Sequence, residues 1–134
     1  MRRAVLLLCA PLLFAACTSS AEQPQAVELP PASAFAAGTC RSAAPALREL
    51  AGVLPQLGED GVLEAAQQET LRDTQDQLYA LTATVEPEHE PALSEVVERI
   101  GGVRIRAAGN SYDPVLGKQL QDSLDRLVAD CTSG

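Results

Sequence analysis

Apolar residues recur at helical spacing in four segments after residue 40, and polar residues fill the positions between them. A repeat of three and four residues places the apolar side chains on one face of a helix, which can then pack against other helices. The four apolar stripes are Leu47, Leu50, Leu54 and Leu57; Leu63, Ala66, Leu71, Thr74, Leu78, Leu81 and Val85; Leu93, Val96, Val97, Ile100 and Val103; and Leu116, Leu120, Leu124, Leu127, Val128 and Cys131. The pattern therefore predicts an all-α fold of four helices.

Local signals predict where these helices begin. Ser42 is a candidate N-cap of the first helix, with Pro45 in its first turn, and the pair 113–114 (Asp-Pro) is typical of an N-cap followed by the first helical residue. The third helix is expected to begin near Pro91. Residues 103–106 alternate between apolar and basic, so a short extended piece is an alternative to helix there.

The N-terminus has the pattern of an export signal. Two arginines follow Met1, and residues 4–16 form an uncharged, leucine-rich run. This run is too short for a membrane-spanning helix, which needs about 20 residues, and has the usual length of a signal-peptide core. It ends in Leu13-Phe14-Ala15-Ala16-Cys17.

This ending resembles the lipobox of bacterial lipoproteins, in which an apolar residue and two small residues precede a cysteine. The resemblance implies that Cys17 receives a diacylglyceryl group and that residues 1–16 are removed as the signal peptide. Phe14 stands where the family prefers Leu. The alternative is ordinary secretion, with a cut before Glu22 that follows the small residues 19–21 and leaves a soluble, unlipidated chain.

Residues 17–39 contain the cysteine and then a stretch rich in Ser, Ala, Gln, Glu and Pro without sustained periodicity. This composition predicts a flexible tether between the lipid and a helical domain at residues 40–134. In the alternative, Val27, Leu29 and Phe35 dock on that domain.

The remaining cysteines constrain the order of the helices. Cys9 leaves with the signal peptide and Cys17 takes the lipid, so Cys40 and Cys131 remain for a disulfide, which an exported protein can form. Bridged Cα atoms lie within about 7 Å, so the start of the first helix and the end of the last must meet. An up-down bundle satisfies this with four helices. We therefore predict an up-down four-helix bundle with one disulfide; two free buried thiols are the alternative.

Charge and composition argue against nucleic acid as a partner. The formal net charge is −8 and aromatic residues make up 3% of the chain. Nucleic-acid binding needs a basic surface, and single strands also need aromatic side chains for stacking. The basic cluster Arg99, Arg104 and Arg106 is a candidate patch for a protein partner. Alternatively, these arginines form helix-surface ion pairs with Glu95 and Glu98.

We find no recognisable catalytic or metal-binding motif. His89, the one histidine, lies between two glutamates in a turn bounded by prolines, and we expect an exposed loop histidine, with a general base or metal ligand as the alternative. Neither Ser94 nor Ser111 has the surroundings of a nucleophile elbow. No histidine lies near Cys40 or Cys131 in the sequence, so neither a metal site nor a redox centre is expected, and no cofactor is predicted.

These features predict a non-enzymatic protein held in the cell envelope by a diacylglyceryl anchor. It would lie on the outer face of the cytoplasmic membrane or on the periplasmic side and present a small acidic helical domain to another envelope component. A first alternative is a binding module, secreted or anchored, that holds a small apolar ligand or lipid in the bundle core, where the 101–102 glycine pair would leave room. A second is an enzyme, which would need His89 to meet a serine or an acid in a cleft.

Overall fold

The computed structural model describes residues 27–57 and 62–133, and these residues form four α-helices and no strand. The helices are α1 (Thr39–Val53), α2 (Ala65–Leu81), α3 (Glu90–Ala108) and α4 (Pro114–Thr132), with short 3₁₀ turns at Ala32–Ala34 and Leu54–Gln56. The all-α prediction is confirmed. The predicted signal peptide, Cys17 and the alternative cut before Glu22 lie outside the described residues.

The helices pack in an up-down order. Helix α1 packs on α2, α2 on α3 and α3 on α4, while α1 and α4 share a smaller contact. Cys40 at the start of α1 and Cys131 at the end of α4 form the predicted disulfide, with Cα atoms 5.4 Å apart. The predicted four-helix bundle is confirmed, and we call this end of it the disulfide end. Within the described residues, no helix is long and apolar enough to cross a membrane.

The core consists mainly of leucine and valine from the predicted stripes. The large, fully buried aliphatic side chains of the four helices are Leu47, Leu50, Leu71, Leu78, Leu93, Val96, Ile100, Val103, Leu120, Leu124 and Leu127. Ala66 was predicted on the apolar stripe of α2 but lies on its exposed face. Leu63 and Val85 lie outside α2, because that helix is shorter than its apolar pattern.

Helix α1 begins three residues before its predicted cap. Gly38, with φ of 89°, precedes its first residue, and the backbone N–H of Ser42 is already bonded within the helix, to the Gly38 carbonyl at 3.1 Å. The backbone N–H of Thr39 donates to the Glu86 carboxylate at 3.4 Å. Ser42 is therefore not the N-cap, because a side chain 47 residues away caps the helix earlier.

The other helix limits follow local signals more closely. Asp113 caps α4 by accepting a hydrogen bond from the backbone N–H of Val115 at 2.9 Å. Helix α3 runs without interruption through residues 103–106, so the extended alternative is wrong there. Val103 is buried and Ile105 is 74% exposed, so the alternation records one buried helical position beside an exposed one.

Residues 27–38 pack on the bundle, in contrast to the predicted tether. The Phe35 side chain is 1% exposed, and Val27 and Leu29 are partly buried against the same core. The backbone N–H of Ala36 donates to the Cys131 carbonyl at 2.8 Å. The prediction of a flexible tether is therefore wrong for residues 27–38. The docking alternative holds there, because these apolar side chains are buried against the bundle.

Candidate functional site

Chemically reactive side chains from three parts of the chain meet at the disulfide end. Helix α1 provides Cys40, the connection between α2 and α3 provides Glu86 and His89, and the end of α4 provides Asp130 and Cys131. A ring nitrogen of His89 and the two cysteine sulfurs all lie within 4.8 Å of one another. The expectation that no histidine lies near the cysteine pair is therefore wrong in space, although it holds along the sequence.

His89 is held by a carboxylate. Its Nδ1 lies 2.7 Å from Oδ2 of Asp130, and its side chain is 13% exposed. An ionised carboxylate can only accept, so Nδ1 is the donor, and in the neutral ring the lone pair is on Nε2. The prediction of an exposed loop histidine is wrong, because the start of α3 lies beside the end of α4.

Glu86 links this cluster to the start of α1. Hydrogen bonds from its own backbone amide, and from the side chain and amide of Thr39, hold the pKa of Glu86 below its ordinary value, with a smaller contribution from nearby His89. Burial acts in the opposite direction. The other carboxylate oxygen, Oε2, is buried and has no hydrogen-bond partner among the described residues. A negative charge is therefore held at the disulfide end.

The disulfide itself is shielded from solvent. Cys40 is 1% exposed and Cys131 is 2% exposed. The segment that leads into α1 lies beside the bridge, since the backbone N–H of Ala36 donates to the Cys131 carbonyl. This burial limits direct attack on either sulfur by a thiol of another molecule.

The predicted arginine patch divides between two sides of α3. Arg99 donates to a glutamine of α4 at 3.1 Å and lies 3.7 Å from Glu95, one of its two predicted ion-pair partners. Arg104 instead donates to Gln75 of α2. Arg106 is exposed and makes no ion pair within the described part of the chain. The three arginines therefore do not form one surface.

The predicted serines do not join His89. Ser111 follows the far end of α3, a helix of 19 residues that spans about 28 Å, and its hydroxyl donates to the Arg106 carbonyl. Ser94 is exposed on the first turns of α3. The acids that His89 meets are Asp130, at Nδ1, and the exposed Glu88, whose Oε1 lies 3.7 Å from Nε2.

Two open grooves cross the surface of the bundle. One, of about 750 Å³, runs between α2 and α3 and includes Arg72, Gln75 and Arg104. The other, of about 600 Å³, lies between the end of α1 and the start of α2 and includes Glu49, Glu64 and other acidic and amide side chains. Both are open at the surface and include several charged and amide side chains, unlike the apolar core cavity that the ligand-binding alternative describes.

Sequence reasoning missed Glu86 and Asp130, although one signal was present. A disulfide between the two ends of an up-down bundle also places the connection between α2 and α3 at that end, and this connection carries His89. Asp130 directly precedes the bridged Cys131.

No family model, no curated protein and no solved structure matches this chain.

Proposed function

We propose that this protein is a lipid-anchored component of the cell envelope, with the lipid on Cys17 and a non-catalytic helical bundle that contacts another envelope component. The observation that carries the proposal is the segment Leu13–Cys17, directly after the charged start and the apolar run. Two acyl chains hold a protein firmly at a bilayer, at about 0.8 kcal/mol for each buried CH₂ group. The anchor therefore needs no help from the surface of the bundle.

The packing of residues 27–38 fits such an anchor and limits its reach. Ten peptide units join Cys17 to Val27, and an extended chain spans at most about 3.6 Å per residue. The bundle would therefore stay within about 36 Å of the membrane surface. The disulfide also joins the start of α1, which follows the anchored segment, to the end of α4.

The charge of the bundle favours a protein partner over the bilayer itself. Removal of residues 1–16 leaves 8 basic against 18 acidic residues, and this net charge of −10 is repelled by anionic lipid headgroups. Arg106 and Ile105 are neighbouring exposed side chains near the end of α3. A basic group beside an apolar side chain suits a partner that offers an acidic and an apolar contact. We therefore propose Arg106 together with Ile105, rather than the three arginines, as the partner patch.

The anchor is tested by the mass and the detergent partitioning of the chain expressed from its first residue. We expect a chain that begins at Cys17, carries a diacylglyceryl group and enters the detergent phase. Cys17→Ala should abolish both the lipid and the cleavage, whereas Cys9→Ala should leave them intact. A bare chain beginning at Glu22 in the aqueous phase would establish the secretion alternative instead.

The partner surface is tested by placing a photo-crosslinking residue at position 106 in intact cells. We expect one envelope protein to be captured there and not from position 49, which is exposed in the acidic groove. Equal capture from both positions, or capture of lipid only, would contradict a partner surface at the end of α3.

A further inference from the structure

We propose that the dithiol form of this protein binds a zinc ion through Cys40, Cys131 and His89, so that the metal takes over the role of the disulfide between α1 and α4. Two thiolates and one imidazole are ligands that zinc prefers. They come from the start of α1, the start of α3 and the end of α4. The inference goes beyond the proposed anchor and does not depend on it.

The distances suit a zinc ion once the sulfur–sulfur bond is open. The three ligand atoms lie within 4.8 Å of one another. Zinc–sulfur bonds of about 2.3 Å and zinc–nitrogen bonds of about 2.0 Å place tetrahedral ligand atoms roughly 3.5–3.8 Å apart. The Cα atoms of the two cysteines, 5.4 Å apart, already bring both side chains to one point. Side-chain rotations therefore suffice to form the site.

The surroundings of His89 are those of a metal ligand. The hydrogen bond between Nδ1 and Asp130 fixes the ring and leaves the lone pair on Nε2. A carboxylate on the outer nitrogen of a zinc-bound histidine is a common arrangement, which orients the ring and strengthens the ligand. Glu86, whose Oε2 is buried without a hydrogen-bond partner among the described residues, adds negative charge nearby.

The ligand set selects the class of metal. Thiolates favour zinc and copper(I), whereas magnesium and calcium take oxygen ligands. Three protein ligands leave a fourth position, which water fills in comparable zinc sites. Because both cysteines are buried, the bound ion would be protected from competing ligands in solution.

Opening the disulfide requires a dithiol reductant, and forming it again requires an electron acceptor. In a newly made chain Cys40 and Cys131 are both thiols; binding one Zn²⁺ there releases two protons to solvent and leaves two zinc-bound thiolates. Starting from the disulfide, a dithiol reductant supplies two electrons and two protons and leaves as its own disulfide. Oxidation of the two zinc-bound thiolates by an electron acceptor removes two electrons, forms the sulfur–sulfur bond and releases the Zn²⁺.

Zinc binding is measured by adding Zn²⁺ to the whole purified chain in its oxidised form and after reduction and removal of the reductant. We expect one zinc per reduced chain and none per oxidised chain. Substituting Co²⁺ should give a sulfur-to-cobalt charge-transfer band. Zinc should also restore most of the melting temperature lost on reduction.

Variants separate this site from adventitious thiol binding. His89→Gln should abolish the thermal recovery, and Asp130→Asn should weaken zinc binding by about 10–100-fold. Glu98→Gln, a change at an exposed position of α3, and the Cys9→Ser/Cys17→Ser double variant should bind as the wild type does. Where a reduced chain unfolds, refolding by zinc that requires His89 supports the site. Zinc binding that is equally tight in His89→Gln, or equal in the oxidised chain, would overturn it.

Discussion

Gly38 is the residue on which the start of α1 depends. Its φ of 89° and ψ of −138° lie in a region that side chains rarely adopt. A Cβ atom at this position would also overlap Oε1 of Glu86. The same glycine thus allows the chain to turn into α1 and allows the carboxylate to approach its first N–H group.

We predict that Gly38→Ala lowers the free energy of unfolding by about 1–3 kcal/mol, through backbone strain and displacement of the Glu86 carboxylate. The measurement is chemical denaturation of the oxidised chain. Gly52→Ala is the matched control: nothing lies within 4 Å of the added Cβ on α1, and alanine is favoured by up to about 1 kcal/mol. Equal effects of the two changes would contradict this account.

Glu86 makes the stability of the folded protein depend on pH in the acidic range. Its folded-state pKa is lowered from the ordinary value of 4.5, so its ionised form favours the folded state. This stabilisation is complete above the unfolded pKa and is lost as the pH falls through the folded pKa. We predict that Glu86→Gln lowers stability at neutral pH and flattens the decline below about pH 5.

The measurement for Glu86 is thermal unfolding of both proteins across the acidic range. Glu98→Gln, a change at an exposed position of α3, should keep the decline of the wild type. Parallel pH profiles for wild type and Glu86→Gln would show that this carboxylate is not the group responsible.

At the scale of elements, the segment 27–38 behaves as a fifth packing element beside the four helices. It contains a single 3₁₀ turn, Ala32–Ala34, yet contributes the buried Phe35 to the core. The Arg41 guanidinium also donates to the Phe35 carbonyl at 3.2 Å. Packing and hydrogen bonds to α1 and α4, rather than helical periodicity, hold this segment in place.

We predict that Phe35→Ala destabilises the protein by about 3–5 kcal/mol, as expected for a buried aromatic side chain. The measurement is the denaturation midpoint together with proteolysis of the segment before α1. Val115→Ala, at an exposed position of α4, should change stability by less than about 0.5 kcal/mol. A small effect of Phe35→Ala would mean that the segment does not stabilise the bundle.

At the scale of the whole molecule, the disulfide closes the open side of the bundle. Helices α1 and α4 share a smaller contact than the other neighbouring pairs. The bridge joins residues 91 positions apart. A loop of that length stabilises the folded state by up to about 4–5 kcal/mol, because the bridge restricts the unfolded chain.

We predict that reduction in the presence of a chelator lowers the melting temperature by more than about 10 °C, since about 1 kcal/mol corresponds to 4–8 °C in a domain of this size. Calorimetry with and without reductant measures this. The Cys40→Ala/Cys131→Ala double variant should melt at a similarly lowered temperature and should not respond to reductant. An unchanged melting temperature on reduction would remove the bridge as a stabilising element.

The sequence by itself determined the elements and their order. Leucine periodicity marked α4 throughout, the Asp113–Pro114 pair marked its start, and two cysteines at the ends of the pattern required an even number of antiparallel helices. These features are local, or follow from one covalent bond, so they can be read from neighbouring residues and from the reach of a disulfide.

Only the tertiary structure decided which side chains meet at the disulfide end. The cap of α1 comes from Glu86, and the partner of His89 comes from the C-terminal end of α4. Phe35 enters the core from a segment without periodicity. Each of these contacts joins residues whose closeness depends on how whole helices pack. Side-chain directions at a helix end are set by that packing, and no spacing rule along the chain encodes them.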